Sequence, residues 1–386
     1  MSGLTWRTAG ESHGPTLVGI LEGLPAGMEL DLERVDAELV RRQGGYGRGG
    51  RMKIETDRAR LLSGTRAGLT LGSPVALEVV NKDHVIERLP VPTNPRPGHA
   101  DLAGCQKFTM RDPRAVLERA SARETAMRVA LGGVARQLLE GFGVELFAHV
   151  VEFAGLPADP ATVAAALARD PDERRGLREV SPFFSLDPEA DATWVARTDQ
   201  AREDRDTLGG VFEVRATGLP PGLGSHASGA ERMTARLGAA LFSIPAMKGV
   251  EFGLGFDVAR RPGSEVHDPI HALEEPGPFG RFGRHTNRAG GLEGGMTTGE
   301  PLVARVAMKP IPSLRAGIGT VDFESGEEVR ATYQRSDVTS VPAASVVGEA
   351  VVALELASAF LEKFGGDHLD HVREAFEAWR IRVQKL

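Results

Sequence analysis

Two histidines sit where the chain leaves them little cover. His13 lies in Gly10-Glu11-Ser12-His13-Gly14, and His99 in Arg96-Pro97-Gly98-His99-Ala100-Asp101. Imidazole is the side chain that gives or takes a proton near neutral pH, and Asp101 is close enough in sequence to orient His99. Arginines surround them in settings that suit anions. The run Gly44-Gly45-Tyr46-Gly47-Arg48-Gly49-Gly50-Arg51 carries Arg48 and Arg51 next to Arg42 at a helix end, and so much glycine opens backbone N–H groups to an anion. Arg119-Ala120-Ser121-Ala122-Arg123-Glu124 falls within the first two turns of an expected helix, where unpaired N–H groups and the dipole add to positive charge. Three later segments offer backbone or charge: Gly290 to Gly295, the stiff Lys309-Pro310-Ile311-Pro312-Ser313, and Arg335-Ser336-Asp337 before a long helix. Together they suit proton transfer beside a small, multiply anionic ligand. Each taken singly has a duller counterpart: a structural histidine, an ordinary turn, solvated surface arginines.

Two of these runs imitate other motifs. Residues 10–14 fit G-x-S-x-G, the nucleophile elbow of serine hydrolases, which needs a strand before it and a helix after it. Here strand-like Thr16 to Leu21 follows, so context argues against the elbow. Residues 45–50 fit the dinucleotide fingerprint G-x-G-x-x-G, which should follow a strand and open a helix. Here the run follows a charged helix and precedes strand-like Met52 to Leu62. A serine hydrolase using Ser12 and a noncatalytic anion-binding module stay beside an anion-handling enzyme as readings of the residues alone.

The elements that must hold these groups are legible in part. Asp31 caps a helix to about Gln43, stopped by Gly44. A second helix is expected over about Ala115 to Glu140, with a small-residue stripe that lets another backbone come close. A third begins at Ser228 with Ser228 and Glu231 as a capping box, a fourth spans about Ala343 to Lys363, and a fifth about Leu369 to Lys385. Strands are expected at Thr16–Leu21, Val75–Val80, Glu145–Glu152, Val211–Ala216 and Leu302–Met308. There is no regular βαβ beat, which favours an α+β plan. Strands, a long helix and a glycine loop recur in that order in each half. Residues 1–386 read as one domain with peripheral excursions at about 155–205 and 261–285.

Composition excludes several classes. The 386 residues carry a formal net charge of -7, unlike a dedicated nucleic-acid binder. Only seven of the 46 basic residues are lysine, and the arginines suit carboxylates and phosphates. One cysteine, Cys105, permits no internal disulfide and no thiolate metal cluster, and no metal is expected. Met1 to Thr8 has no signal-peptide run, and no stretch reads as approaching the roughly 20 apolar residues of a membrane span. A cytoplasmic protein with no membrane or nucleic-acid partner is expected.

In order along the chain, GESHG at 10–14, RRQGGYGRG at 41–49, RPGHAD at 96–101, RASARETAMRVA at 119–130, PAMKGVEFGLGFD at 245–257, NRAGGLEGG at 287–295, MKPIPS at 308–313 and QRSD at 334–337 closely resemble chorismate synthase. The resemblance covers nearly the whole chain. It implies the 1,4-anti elimination of phosphate from 5-enolpyruvylshikimate 3-phosphate to give chorismate, with reduced FMN required although no net redox change occurs. It implies His13 beside the flavin, His99 as general acid for the departing phosphate and Asp337 as a candidate base. It implies Arg42, Arg48, Ser121, Arg123 and Arg335 on the substrate. It implies flavin contacts from Arg42, Arg48, Arg119, Ala120, Ser121, Pro245, Ala246, Gly294, Lys309, Pro310, Ile311, Pro312, Ser313 and Arg335. Pro245 departs from the Asn or Gln usual there, which leaves only backbone contact at that position. The family fold is a β-α-β sandwich of antiparallel sheets around central helices with an internal pseudo-twofold, and the assembly is usually a homotetramer. No extra reductase domain is visible, so an outside supply of reduced FMN, such as a flavin reductase, is expected in place of NADPH oxidation by the chain itself. His267, His271 and His285 of the 261–285 segment are expected over the site.

Overall fold

A computed structural model describes residues 3–49, 56–333 and 337–386. Its first half runs β1 (Thr5–Ala9), β2 (Thr16–Glu22), α1 (Leu32–Gln43), β3 (Arg60–Ser63), β4 (Val75–Val80), α2 (Asp101–Phe108), α3 (Arg114–Ala120) and α4 (Thr125–Glu140). The second half runs β5 (Glu145–Phe153), β6 (Leu156–Pro157), α5 (Pro160–Leu167), α6 (Pro171–Val180), α7 (Pro188–Glu203), β7 (Gly210–Thr217), α8 (Met233–Phe242), β8 (Met247–Phe252), β9 (Leu302–Met308), α9 (Val341–Phe364) and α10 (Leu369–Val383). Two antiparallel sheets result, ordered β1-β2-β4-β3 and β8-β9-β7-β5-β6. Helices mixed with antiparallel sheets make the chain α+β, as its irregular element order implies.

The strands alternate as half-buried strands must. In β2, Leu17 and Leu21 are buried and Ile20 is exposed. Helix α4 packs against β2 and β4 and against α9, while α9 packs on β5 and β7. The small-residue stripe of α4 permits the helix contact: a Cβ added at Gly132 would stand 2.5 Å from the Ala350 Cβ. Gly132→Ala would therefore push the two helices apart.

Several boundaries differ from the sequence reading. The expected helix over 115–140 is broken at Ser121, which takes extended angles (φ -68, ψ 151) and accepts the Arg123 N–H as the cap of the next turn. The expected capping box does not form: Ser228 makes no side-chain cap and α8 starts at Met233. The Met233 N–H is instead taken by the Gly295 carbonyl at 2.8 Å, so the glycine loop supplies the cap. The 155–205 segment folds into α5, α6 and α7, and places Trp194 and Phe183 in the core beside Phe153. Helix α9 corrects the expectation that no stretch nears membrane-span length. Its 24 residues are long and apolar enough, yet 94% of its apolar window is buried in the fold.

Candidate active site

The turn between β1 and β2 carries His13. Its ring Nδ1 lies 2.9 Å from Glu118 Oε2, and its backbone N–H donates to the same oxygen at 3.0 Å. Glu118 stands on α3, almost fully buried, and also accepts from Arg114 Nη1 at 2.9 Å. Burial would raise its carboxyl, but the hydrogen bonds and charge of His13, and then Arg114, hold it below the ordinary range.

His99 has the same construction. Its Nδ1 is 2.5 Å from Asp101 Oδ1, and Arg96 Nε and Nη2 donate to Asp101 at 2.8 and 3.1 Å. Burial opposes ionisation of Asp101, yet His99 and Arg96 hold its carboxyl far below the usual carboxylate range. A Pro-Gly turn presents this group, and the 309–313 segment closes against it. Lys309 Nζ donates to the Gly98 carbonyl, and Arg96 Nη1 donates to Ser313 Oγ at 3.3 Å. Burial, and then Lys248, lower Lys309 from the usual ammonium range.

The arginines meet on two carboxylates, Arg42 and Arg123 at Asp57 and Arg48 at Asp337. Arg42, in the last turn of α1, donates Nε to Thr125 Oγ1 at 3.1 Å, Nη2 to the Ala122 carbonyl at 3.0 Å and Nη1 to Asp57 at 3.4 Å. Arg123 Nη1 reaches both Asp57 oxygens at 2.7 Å, and its Nε donates to Asn81 Oδ1 at 2.7 Å. Arg48 Nη1 pairs with Asp337 at 2.7 Å and donates to Ser340 Oγ at 2.9 Å. Asp337 also accepts the Gly49 N–H at 2.6 Å and the Ser340 hydroxyl at 2.8 Å. Burial presses Arg42 down to about 10; Asp57 opposes this, while Arg123 and Arg48 add to it. Among the described residues Asp57 takes Arg42 and Arg123 and Asp337 takes Arg48, so cationic donors gather where an anion could bind.

Backbone contacts join the pieces. Asn81 Nδ2 donates to the carbonyls of Glu11 and Gly14 at 3.1 and 2.8 Å, tying the His13 turn to Arg123. Thr207 Oγ1 donates to the Ile311 carbonyl at 2.7 Å, and the Leu208 N–H to the Val338 carbonyl at 2.9 Å, tying 309–313 to Asp337. Ser121 Oγ donates to Ser12 Oγ at 3.3 Å. The Lys309 N–H donates to the Ala246 carbonyl at 3.0 Å, which places Pro245 and Ala246 beside that segment.

Other expected residues fall differently. Arg119 turns away from Arg123 and donates to the Thr8 and Gly10 carbonyls at 2.9 and 3.0 Å, leaving Ala120 half-buried at the end of α3. Gly294 stands in a separate hairpin, Leu292–Glu293 with Met296–Thr297, near the start of α8. Arg335, with Gln334, Ser336 and Arg51, lies outside the described residues. His271 and His285 stack on one another at 3.9 Å, and His267 lines a groove of about 750 Å³ with Phe252 and Phe256. Glu118, Asp57 and Asn81 were not legible as functional residues. Asp57 and Asn81 stand outside every glycine or proline run, and Glu118 meets His13 across 105 positions of sequence.

Comparison with known proteins decides the family. The chorismate synthase family model matches residues 4–361. The chain belongs to the chorismate synthase family. It is 50% identical to the chorismate synthase of Geobacter sulfurreducens over 97% of this chain and 98% of that protein. It is 52% identical to the chorismate synthase of Trichlorobacter lovleyi, covering 96% and 97% respectively. A crystal structure of chorismate synthase superposes with a TM-score of 0.80 at 40% identity, over all of this chain and 99% of that one. Members are carbon–oxygen lyases acting on phosphates, and the chain is an enzyme of that class. The elbow reading of Ser12 accordingly fails in structure as well: β2, not a helix, follows the turn, and the Ser12 hydroxyl accepts from the Ser121 hydroxyl. Ser12→Ala is expected to keep turnover within about tenfold of the parent, since a hydroxyl that is not the nucleophile contributes hydrogen bonds of about 1 kcal/mol each. A loss beyond about 10³-fold in a steady-state assay would return the nucleophile reading.

Proposed function

We propose that this chain converts 5-enolpyruvylshikimate 3-phosphate to chorismate and inorganic phosphate by 1,4-anti elimination, the last common step of the shikimate pathway toward aromatic amino acids. One observation carries the residue roles: the chain holds two imidazoles each on a buried carboxylate and gathers Arg42, Arg48 and Arg123 on Asp57 and Asp337. Substrate and leaving group are both multiply anionic, which is the charge such a site takes up.

His99, steadied by Asp101, hands a proton to the departing phosphate. Arg42, Arg48 and Arg123, with Arg335, meet the charge that develops as the C–O bond opens; preorganised donors cost no reorganisation at that moment. Asp337, held by Arg48, the Gly49 N–H and Ser340, is the candidate base. The donor set fits a phosphorylated flavin: hydroxyls at Ser121 and Ser313, cations at Arg48 and Lys309, and a backbone approach at Gly294, where an added Cβ would meet nothing within 4 Å. Arg42, Arg119, Ala120, Pro245, Ala246, Pro310, Ile311, Pro312 and Arg335 complete the proposed contacts, Pro245 through backbone alone. Reduced FMN held by these residues would supply the transient electron that weakens the C–O bond. His13 would face the flavin ring as its proton-holding group.

The finer architecture is proposed on the same footing. The packing of α4 on the four-stranded sheet and of α9 on the five-stranded sheet supports a β-α-β sandwich with an internal pseudo-twofold. A cytoplasmic homotetramer fed with reduced flavin from outside is the proposed working form.

The test is anaerobic incubation with 5-enolpyruvylshikimate 3-phosphate and chemically reduced FMN. Phosphate and chorismate are expected in equal amounts, and release of neither refutes the proposal. A parallel sample with NADPH and oxidised FMN should give no turnover.

A further inference from the structure

The turn that carries His13 has no regular structure of its own, and one residue of α3 holds it at three points. The Glu118 carbonyl accepts the Ser12 N–H at 3.0 Å. Its carboxylate accepts the His13 N–H at 3.0 Å and faces the ring Nδ1 at 2.9 and 3.1 Å. Arg114, one turn earlier, completes the assembly: Nη1 donates to Glu118 Oε1 at 2.9 Å, while Nε and Nη2 donate to the Pro90 carbonyl at 3.0 and 2.7 Å. Glu118 is 2% exposed, so water does not compete for the carboxylate.

We propose that Glu118 is a positioning residue for the reaction: it fixes His13 as the Nδ1–H tautomer and so dedicates Nε2 to the reacting centre. An ionised carboxylate has no proton to give, so the hydrogen between it and Nδ1 belongs to the ring. The second point of attachment, at the His13 backbone, sets the ring plane as well as the tautomer. His99 is treated the same way by Asp101 and Arg96, so the site contains two imidazoles each held by a carboxylate and an arginine. In serine proteases a carboxylate in this relation to an imidazole fixes its tautomer, and its loss costs about 10⁴ in rate. The inference rests on the reading that His13 faces the flavin. A simple brace for the turn would need neither the ring contact nor the arginine behind it.

The test reads the ring directly in the protein without flavin or substrate. Histidine is labelled with 15N, the His13 signals are assigned by their disappearance in His13→Gln, and the tautomer is read from the two ring nitrogen shifts at a pH where the ring is neutral. The parent protein should show His13 as Nδ1–H, which tests the grip even if no variant folds. Glu118→Ala should convert it largely to Nε2–H, and kcat should fall about 10²-fold with KM for 5-enolpyruvylshikimate 3-phosphate within about threefold. The isosteric Glu118→Gln, which swaps the carboxylate for an amide as in the protease precedent, should also move the ring toward Nε2–H and lower kcat while keeping the size of the side chain. A parent ring that is Nε2–H, or an unchanged tautomer in Glu118→Ala, overturns the grip and leaves the proposed reaction standing. A converted tautomer with kcat intact overturns the positioning role and, with it, the part assigned to His13.

Discussion

Replacing His99 with alanine should lower kcat by about 10²–10⁴-fold, the usual worth of a positioned general acid. The expectation rests on three features of the site. His99 is presented by a Pro-Gly turn against the 309–313 segment. Its Nδ1 is committed to Asp101 at 2.5 Å, which leaves Nε2 as the nitrogen that can reach a substrate. Asp101, nearly fully buried and paired with Arg96, stays ionised and so faces Nδ1 as an acceptor that orients the ring. The variant removes none of Arg42, Arg48 or Arg123, so KM for 5-enolpyruvylshikimate 3-phosphate should stay within about threefold. Loss confined to kcat is the signature of an interaction made only in the transition state. Single-turnover kinetics with reduced FMN separate the chemical step from product release. If the single-turnover rate is within threefold of the parent, His99 is not the acid and phosphate leaves on arginine charge alone.

The candidate site residues were easier to see in the sequence than the partners that hold them, and the reasons are local. His13, His99, Arg42 and Arg48 announce themselves because glycine and proline frame them, and those residues act on the chain within a few positions. Asp57 carries no such frame. It matters because it lies between Arg42 and Arg123, a relation made by folding. The break at Ser121 was hidden for a different reason: alanine and arginine on both sides are good helix formers, and only tertiary contacts at Ser12 and Arg42 favour the extended angles. Strand β1 is short and half-exposed, so it shows no clean alternation of apolar residues. The 155–205 segment was readable in principle. Each of its three helices opens with Asp-Pro, at 159–160, 170–171 and 187–188, and each aspartate side chain caps its helix. The high density of charge in that stretch masked those starts.

Glu349→Ala should destabilise the protein by about 3–5 kcal/mol, the cost of stranding buried charges, and lower its melting temperature by about 5 °C or more. Glu349 is buried halfway along the apolar helix α9. Arg41 reaches it from α1 at 3.1 Å, Arg136 from α4 at 2.5 Å and Arg178 from α6 at 3.5 Å, and it also accepts the Ala148 N–H from β5 at 2.9 Å. One carboxylate thus joins four elements to α9, and its loss leaves three guanidiniums in the interior with Glu38, Glu140 and the more exposed Glu179 as remaining partners among the described residues. Arg178 is the least compensated of the three: burial and then Arg41 push it down to about 10. Burial alone would raise the Glu349 carboxyl, but Arg41, Arg136 and Arg178 together hold it below its ordinary value. A carboxyl depressed in the folded state stabilises the fold at pH values above its unfolded value of about 4.3, and that contribution is lost as pH falls through the folded value. The parent should therefore exceed Glu349→Gln in stability at neutral pH, with the gap closing below about pH 4. Urea unfolding at pH 7 and at pH 3.5 measures both gaps. Equal stability of parent and Glu349→Ala at pH 7 would mean that water enters to solvate the arginines, and that α9 needs no charge at its centre. The consequence reaches the active site because Arg41 and Arg42 are neighbours in the last turn of α1. The residue that anchors that turn to the core also sets where Arg42 meets the substrate's charge.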